Sequence, residues 1–239
     1  MSQSSPMKIT HDGQTLVGQA AIPEGIGPFP AVLVMHSAVG LNAFYKSKAP
    51  LLAAQGWLAV ATDMYGGDVD TADAASYGAA YAQFQNNPER LRARVVAWFD
   101  AVSARQDVDA GRVAAIGYCF GGKCVLELAR SGADVKAVVS YHGILGTHAP
   151  AQPGAVRGEV AAYCGARDPF APMEAITALR IEMESAGASY HLTVFGDAEH
   201  GFTDPHAAGH AMPGISYNAL ADKTSWAGTL ALLEHVLAG

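Results

Sequence analysis

Short apolar runs recur along the chain, separated by polar stretches rich in turn residues. Ala31–Met35, Trp57–Ala61, Val113–Ile116, Val135–Ser140, Val160–Tyr163 and His191–Phe195 are such runs, most of them bounded by Gly, Pro or Asp. A run that is apolar at successive positions has no side reserved for water. It predicts strands of a parallel sheet covered on both faces. Ahead of these runs, residues 7–22 alternate in the manner of a hairpin. Met7-Lys8-Ile9-Thr10 and Thr15-Leu16-Val17-Gly18 flank His11-Asp12-Gly13-Gln14, and Asp-Gly is a strong two-residue turn signal.

Segments with helical spacing lie between the runs. Residues 88–104 open on Pro88, which the first helical turn tolerates, and carry Leu91, Val95, Phe99 and Val102 on one side. Residues 172–185 follow another proline, and 72–85 carry a weaker helical signal before Asn86-Asn87-Pro88. At the C-terminus Trp226, Leu230, Leu233 and Leu237 share one helix face. Strands alternating with helices imply right-handed crossovers and a doubly wound, mostly parallel α/β sheet flanked by helices, with an N-terminal β-hairpin. Strand-like runs continue on both sides of the longest polar stretches, 63–76 and 146–159, so a single domain over 1–239 is expected.

Composition narrows the function. The 239 residues carry 22 Asp and Glu against 15 Lys and Arg, a net charge of −7. That balance disfavours nucleic acid and anionic membrane surfaces as partners. No apolar run approaches the ~18 residues of a membrane span, and the start, MSQSSPMKITHDG, lacks a signal-peptide core. A cytoplasmic protein is expected. Its three cysteines, Cys119, Cys124 and Cys164, are too few and too odd for a disulfide framework. The Gly-rich stretches lack the Lys-Ser/Thr of a phosphate loop, and no cofactor is expected. His206 and His210 have i,i+4 spacing, but Pro205, Gly209 and Pro213 surround them and no carboxylate pattern accompanies them, so no metal site is expected.

The segment Val113-Ala-Ala-Ile-Gly117-Tyr118-Cys119-Phe120-Gly121-Gly122-Lys123 carries the chemistry. A strand leads into Gly-x-Cys-x-Gly and a helix-like run leaves it, the form of a nucleophile elbow with Cys in place of Ser. Such a reversal lifts the central side chain clear of a strained backbone and leaves no room for side chains two residues either way. It also sets Cys119 at a helix N-terminus, which favours negative charge on sulfur, and aims the Phe120 N–H at a developing oxyanion. A base and its orienter must follow in chain order. Asp168, in Gly165-Ala166-Arg167-Asp168 after one strand, and His200, in Glu199-His200-Gly201-Phe202 after the last, answer that need. Loops at the C-terminal ends of parallel strands converge on one sheet edge. Cys124 and Cys164 lie within apolar runs and read as core. Cys124 is also badly placed to resolve an oxidised Cys119, which sets a redox role aside.

These motifs, with His36-Ser37-Ala38-Val39-Gly40-Leu41-Asn42, Asp63-Met64-Tyr65-Gly66 and Tyr217-Asn218-Ala219 before Trp226, resemble the dienelactone hydrolase family of the α/β-hydrolase superfamily over nearly the whole chain. The resemblance implies the α/β-hydrolase fold and a Cys119–His200–Asp168 triad. It also implies an oxyanion hole of the Phe120 N–H with a backbone N–H of Ser37 or Ala38, and hydrolysis of a small ester or lactone through a thioester. Tyr65, Tyr141, His142, Phe170 and Phe202 lie near the expected loops as candidate pocket residues. Family members often carry Glu where this chain has Ser37, which leaves thiol activation to His200, the helix end or Glu199. Members acting on dienelactone place one Arg after the Tyr and another after the His. Here Gly66-Gly67 and Thr203-Asp204-Pro205-His206 stand there, and Arg167 and Lys123 are the nearby cations. The other reading is a non-catalytic member that kept the pocket and binds a small molecule. Oligomeric state is left open by the sequence.

Overall fold

The computed structural model describes residues 3–67, 69–207 and 212–238. The chain runs β1 (Gln3–His11), β2 (Gln14–Ile22), β3 (Phe29–Met35), α1 (Ala43–Ala53), β4 (Leu58–Thr62), α2 (Ala74–Gln85) and α3 (Pro88–Ser103). It continues with β5 (Val108–Tyr118), α4 (Phe120–Arg130), β6 (Ala137–Tyr141), β7 (Glu159–Gly165), α5 (Met173–Ala186), β8 (Tyr190–Phe195) and α6 (Ala219–Leu237). The strands form one sheet in the order β1-β2-β4-β3-β5-β6-β7-β8. β1 pairs with β2, and β2 with β4, antiparallel; every pair from β4 to β8 is parallel. This is the α/β-hydrolase architecture expected from the sequence, with its N-terminal hairpin. Asp12 and Gly13 both have positive φ, 54° and 71°, as a two-residue hairpin turn requires.

β3, β4, β6 and the inner parts of β5 and β7 are apolar at successive positions because both faces are buried, whereas β8, at the sheet edge, is only partly covered and leaves Val194 exposed. Val32, Val34, Ala59, Ala61, Ile116 and Val139 pack with α1 and α6 on one side. Leu33, Met35, Val60, Val113, Ala115 and Val138 pack with α2, α3, α4 and α5 on the other. Complete burial of each Val, Leu or Ile side chain stabilises by about 1.5–3 kcal/mol, and most of these positions are fully inaccessible.

Winding reverses between β3 and β5. The chain leaves β3 through α1 to reach β4 on one flank, then crosses by α2 and α3 to β5 on the other. The loops after β3 and β5 therefore part at the C-terminal edge, which opens a crevice at a topological switch point.

The expected elements differ from the structure in three places. Helix α1 has no counterpart in the sequence pattern. Pro50 sits inside it and lysines interrupt its face, yet Tyr45, Ala49, Leu52 and Ala53 are buried. Asn42 caps it, its Oδ1 accepting from the Phe44 N–H at 3.0 Å. β1 begins at Gln3 and runs through Pro6, which an edge strand tolerates. In α6 the buried stripe is Ala221, Ser225, Thr229, Leu233 and Leu237, with Trp226 and Leu230 at its margin. Hydroxyl positions can face the interior because Ser225 and Thr229 donate back to the Asp222 and Ser225 carbonyls of their own helix.

Candidate active site

The turn from β5 into α4 is set by two close backbone approaches. An added Cβ on Gly117 would lie 2.0 Å from the Gly121 carbonyl oxygen, and one on Gly121 would lie 2.3 Å from the Met35 oxygen. Only glycine fits at either position, and the helix start is thereby pressed against the end of β3. Cys119 between them has φ 54° and ψ −111°, a region side-chain-bearing residues rarely adopt, and its side chain is half-buried at the cavity. Its N–H donates to the Tyr141 oxygen at 3.0 Å and its carbonyl accepts from the Lys123 N–H at 3.2 Å. The Phe120 N–H makes no hydrogen bond among the described residues.

Asp168 and His200 come from the loops after β7 and β8, and those loops are stitched together. The Ala166 N–H donates to Phe195 O at 2.9 Å and the Arg167 N–H to Ala198 O at 3.0 Å. The Asp168 carboxylate is buried. Its Oδ1 accepts from the Phe170 N–H at 2.8 Å and the Ala171 N–H at 3.2 Å, and its Oδ2 meets His200 Nδ1 at 2.8 Å. The backbone of His200 is held on both sides, its N–H donating to Gly214 O at 2.9 Å and its carbonyl accepting from Ser216 at 3.1 Å. Burial opposes charge on this ring. The Asp168 hydrogen bond, followed by the interactions with the Cys119 side chain, outweighs burial and raises the His200 pKa to about 10. The other two thiols differ. Burial pushes Cys124 well up and Cys164 to about 12, and both lie in the core.

The loop after β3 is fixed by His36. The Met64 N–H donates to His36 Nε2 at 3.0 Å, so Nδ1 carries the proton and donates to Ser37 O at 2.6 Å. Burial lowers the pKa of this ring, which keeps it neutral. Tyr65 clamps the next peptide, its hydroxyl donating to Ala38 O at 2.7 Å. Ser37 turns toward Tyr45, whose phenol oxygen interacts with both the Ser37 side chain and its backbone. The Ala38 N–H makes no hydrogen bond among the described residues.

Cys119, His200, Ser37 and Ala38 line one cavity of about 280 Å³. Of the five residues expected near the pocket, Phe170 and His142 are in its wall, the Phe170 ring 4.7 Å from that of His200. Tyr65, Tyr141 and Phe202 are buried behind it. Tyr65 stacks on Phe120 at 5.8 Å. Tyr141 stacks on Tyr118 at 4.7 Å and donates to the Thr229 hydroxyl. Phe202 packs edge-on against His142 at 5.1 Å. These three are scaffold because the interior at the loop bases claims their rings before the cavity does. His142 does line the cavity, its Nε2 2.8 Å from the Thr203 hydroxyl, and burial lowers its pKa well below the ordinary value.

Tyr45 from α1, Tyr77 and Tyr81 from α2, and Ile144, Asp204, Met212 and Ile215 from loops complete most of the wall and were not expected from the sequence. The pocket face of a helix is invisible until its neighbour is placed. Glu199, Arg167 and Lys123 are not in the lining. The His206 and His210 pair cannot be traced, since His210 lies outside the described residues. Among the described residues no cluster of three or more His, Cys, Asp or Glu is arranged to hold a metal, and no helix is long and apolar enough to cross a membrane.

Comparison with known proteins agrees with this fold. Residues 16–237 match the model of the dienelactone hydrolase family. The structure of a dienelactone hydrolase-like promiscuous phosphotriesterase from metagenomic libraries superposes with a TM-score of 0.90 at 34% identity, covering 98% of each chain. A protein of Escherichia coli (strain K12) named "putative carboxymethylenebutenolidase" is 26% identical over 84% of this chain and 74% of its own. An uncharacterised protein of Caenorhabditis elegans is 33% identical over 62% of this chain and 96% of its own. With the elbow, the crevice and the sheet order already in hand, the match over nearly the full length means that this chain belongs to the dienelactone hydrolase family, as a hydrolase of ester or lactone bonds.

Proposed function

We propose that hydrolysis proceeds by nucleophilic attack of Cys119 on the carbonyl carbon of a small ester or lactone, through a thioester acyl-enzyme. The observation that carries this reading is a convergence: Cys119 and His200 line one cavity and Asp168 holds the His200 ring at 2.8 Å, although the three residues leave three different strands. The raised His200 pKa suits this ring to take the Cys119 proton as the sulfur attacks. As the S–C bond forms, the carbonyl oxygen becomes an oxyanion facing the Phe120 and Ala38 N–H groups, with Ser37 turned to Tyr45 instead. Each such donor contributes about 3–4 kcal/mol to the transition state. When the C–O bond breaks, the leaving alkoxide takes the proton of His200.

Acylation then changes the base. The thiolate has become a thioester, and the Cys119 contributions that raised the His200 pKa are lost. The ring can now accept a proton from water, whose oxygen attacks the thioester carbonyl. Collapse expels the thiolate, releases the acid and leaves His200 protonated again. Asp168 keeps Nδ1 turned inward throughout.

Two results test this. Acid quenching during turnover of 4-nitrophenyl acetate is expected to trap one acetyl group on the chain, mapped by peptide mass spectrometry to Cys119 and labile to hydroxylamine. An acetyl on any other residue would refute the assignment. The pH profile is the second. With the free-enzyme His200 pKa near 10, the alkaline fall of kcat/KM is expected as pH rises through about 10, where the acid is lost. An alkaline limb below about pH 8 would contradict it. The same shift feeds stability. The folded pKa lies above the unfolded value of 6.5, so the His200 contribution is fully present below pH 6.5 and is lost as pH rises through about 10.

A further inference from the structure

We propose that Asp204 makes this cavity selective by charge, so that its substrates are uncharged esters or lactones with apolar acyl groups and those bearing a free carboxylate are turned away. The proposal rests on the hydrolase reading above and adds to it the class of substrate.

Asp204 follows His200 in the loop after β8 and lies in the wall of the cavity. Its Oδ1 accepts from the His206 N–H at 2.8 Å, which fixes the side chain without neutralising it. Apart from the reacting pair Cys119 and His200, no other described wall residue answers the Asp204 charge: burial keeps His142 neutral, and Val39, Ile144, Phe170, Met212 and Ile215 give the wall an apolar character. Among the described lining residues there is no Lys or Arg. The cations that could answer Asp204 are held elsewhere. Lys123 donates to Gly146 O at 2.8 Å, outside the cavity. Arg167 is exposed and away from the wall. Lys48 lies over Phe44, 4.4 Å from the ring centre, and beside Trp226. Its charge feels Asp222 and then Asp204 from its seat on those rings, outside the cavity wall.

A substrate carboxylate entering this cavity loses water, meets a like charge and finds no guanidinium to receive it. An apolar chain of the same length meets Val39, Ile144 and Met212 and gains by its burial. Both effects favour the uncharged ester.

The test uses two esters of equal acyl length, 4-nitrophenyl valerate and 4-nitrophenyl hemiglutarate, with the spontaneous hydrolysis of each subtracted and the two kcat/KM values compared directly. The native enzyme is expected to prefer valerate by about tenfold or more. Asp204→Asn keeps the oxygen that accepts from His206 and removes the charge, and is expected to shrink the preference about threefold or more. Asp204→Ser serves in its place if the Asn variant does not fold, since its hydroxyl can also accept from that N–H. A native preference near one, or a preference unmoved in a folded variant, overturns the proposal. Cys119→Ala separates the two claims. If it turns over valerate like the native enzyme, the hydrolase mechanism falls. Turnover that depends on Cys119 without discrimination sinks the charge selection alone.

Discussion

Cys119→Ala is expected to lower kcat/KM for an activated ester on the order of 10⁴-fold or more, while its melting temperature stays within about 3 °C of the native protein. The two halves of this expectation have separate causes. Activity falls because the nucleophile, and with it any covalent path, is gone. Attack by water positioned by His200 and the oxyanion donors alone leaves a small residual rate. Stability holds because the side chain is half-buried and small, and the strained φ of 54° is imposed by the flanking glycine contacts rather than by the sulfur. Alanine meets the same backbone strain that cysteine already tolerates. Thermal unfolding monitored beside the ester assay checks both. Comparable turnover by the variant would remove Cys119 from the mechanism. Cys119→Ser sharpens the outcome: it restores a nucleophilic atom of similar position but leaves a hydroxyl that is far harder to deprotonate, so a loss close to that of alanine would show that the ionised thiol matters.

Parts of this molecule were readable from the chain because local physics imposes them. A strand covered on both faces must be apolar throughout, and β3 through β7 announce themselves in that way. The elbow is readable because Gly117 and Gly121 stand at the two positions where no side chain fits. Asp168 and His200 stand out as polar residues in short loops directly after apolar runs, and those loops meet at one edge. The substrate wall is a different matter. Tyr65, Tyr141 and Phe202 are as aromatic and as close to the loops as Phe170 and His142, yet they are packed as scaffold while those two reach the cavity. The residues that do reach it include Tyr45, Tyr77 and Tyr81, which are carried by helices. Helix α1 carries Pro50 and two lysines, and its burial comes from contact with β2, β3 and β4 rather than from its own periodicity. Which face of such a helix meets a pocket follows from the placement of the sheet, not from the helix sequence.

Gly117→Ala is expected to destabilise the fold by about 4 kcal/mol or more, through a single methyl group. The Cβ would have to sit 2.0 Å from the Gly121 oxygen and 2.3 Å from its carbonyl carbon, both main-chain atoms in the first turn of α4. No rotamer relieves that clash. Relief requires moving β5 away from α4, and both are fixed. Gly117 pairs with Met35 on one side and Ser140 on the other, in the middle of the sheet. The first turn of α4 is in turn pressed on Met35 O through Gly121. Gly78→Ala provides the contrast. Gly78 lies inside α2 with nothing within 4 Å of an added Cβ, so alanine there is expected to stabilise the helix by about 0.5–1 kcal/mol. Urea or thermal denaturation of the two variants should therefore diverge in sign. The Gly117 variant should melt roughly 10 °C or more below the native protein or accumulate as insoluble chain, and the Gly78 variant at or above it. A Gly117 variant that melts with the native protein would mean that the elbow can relax. The close approach that sets the Cys119 backbone would then not be what holds its thiol at the cavity.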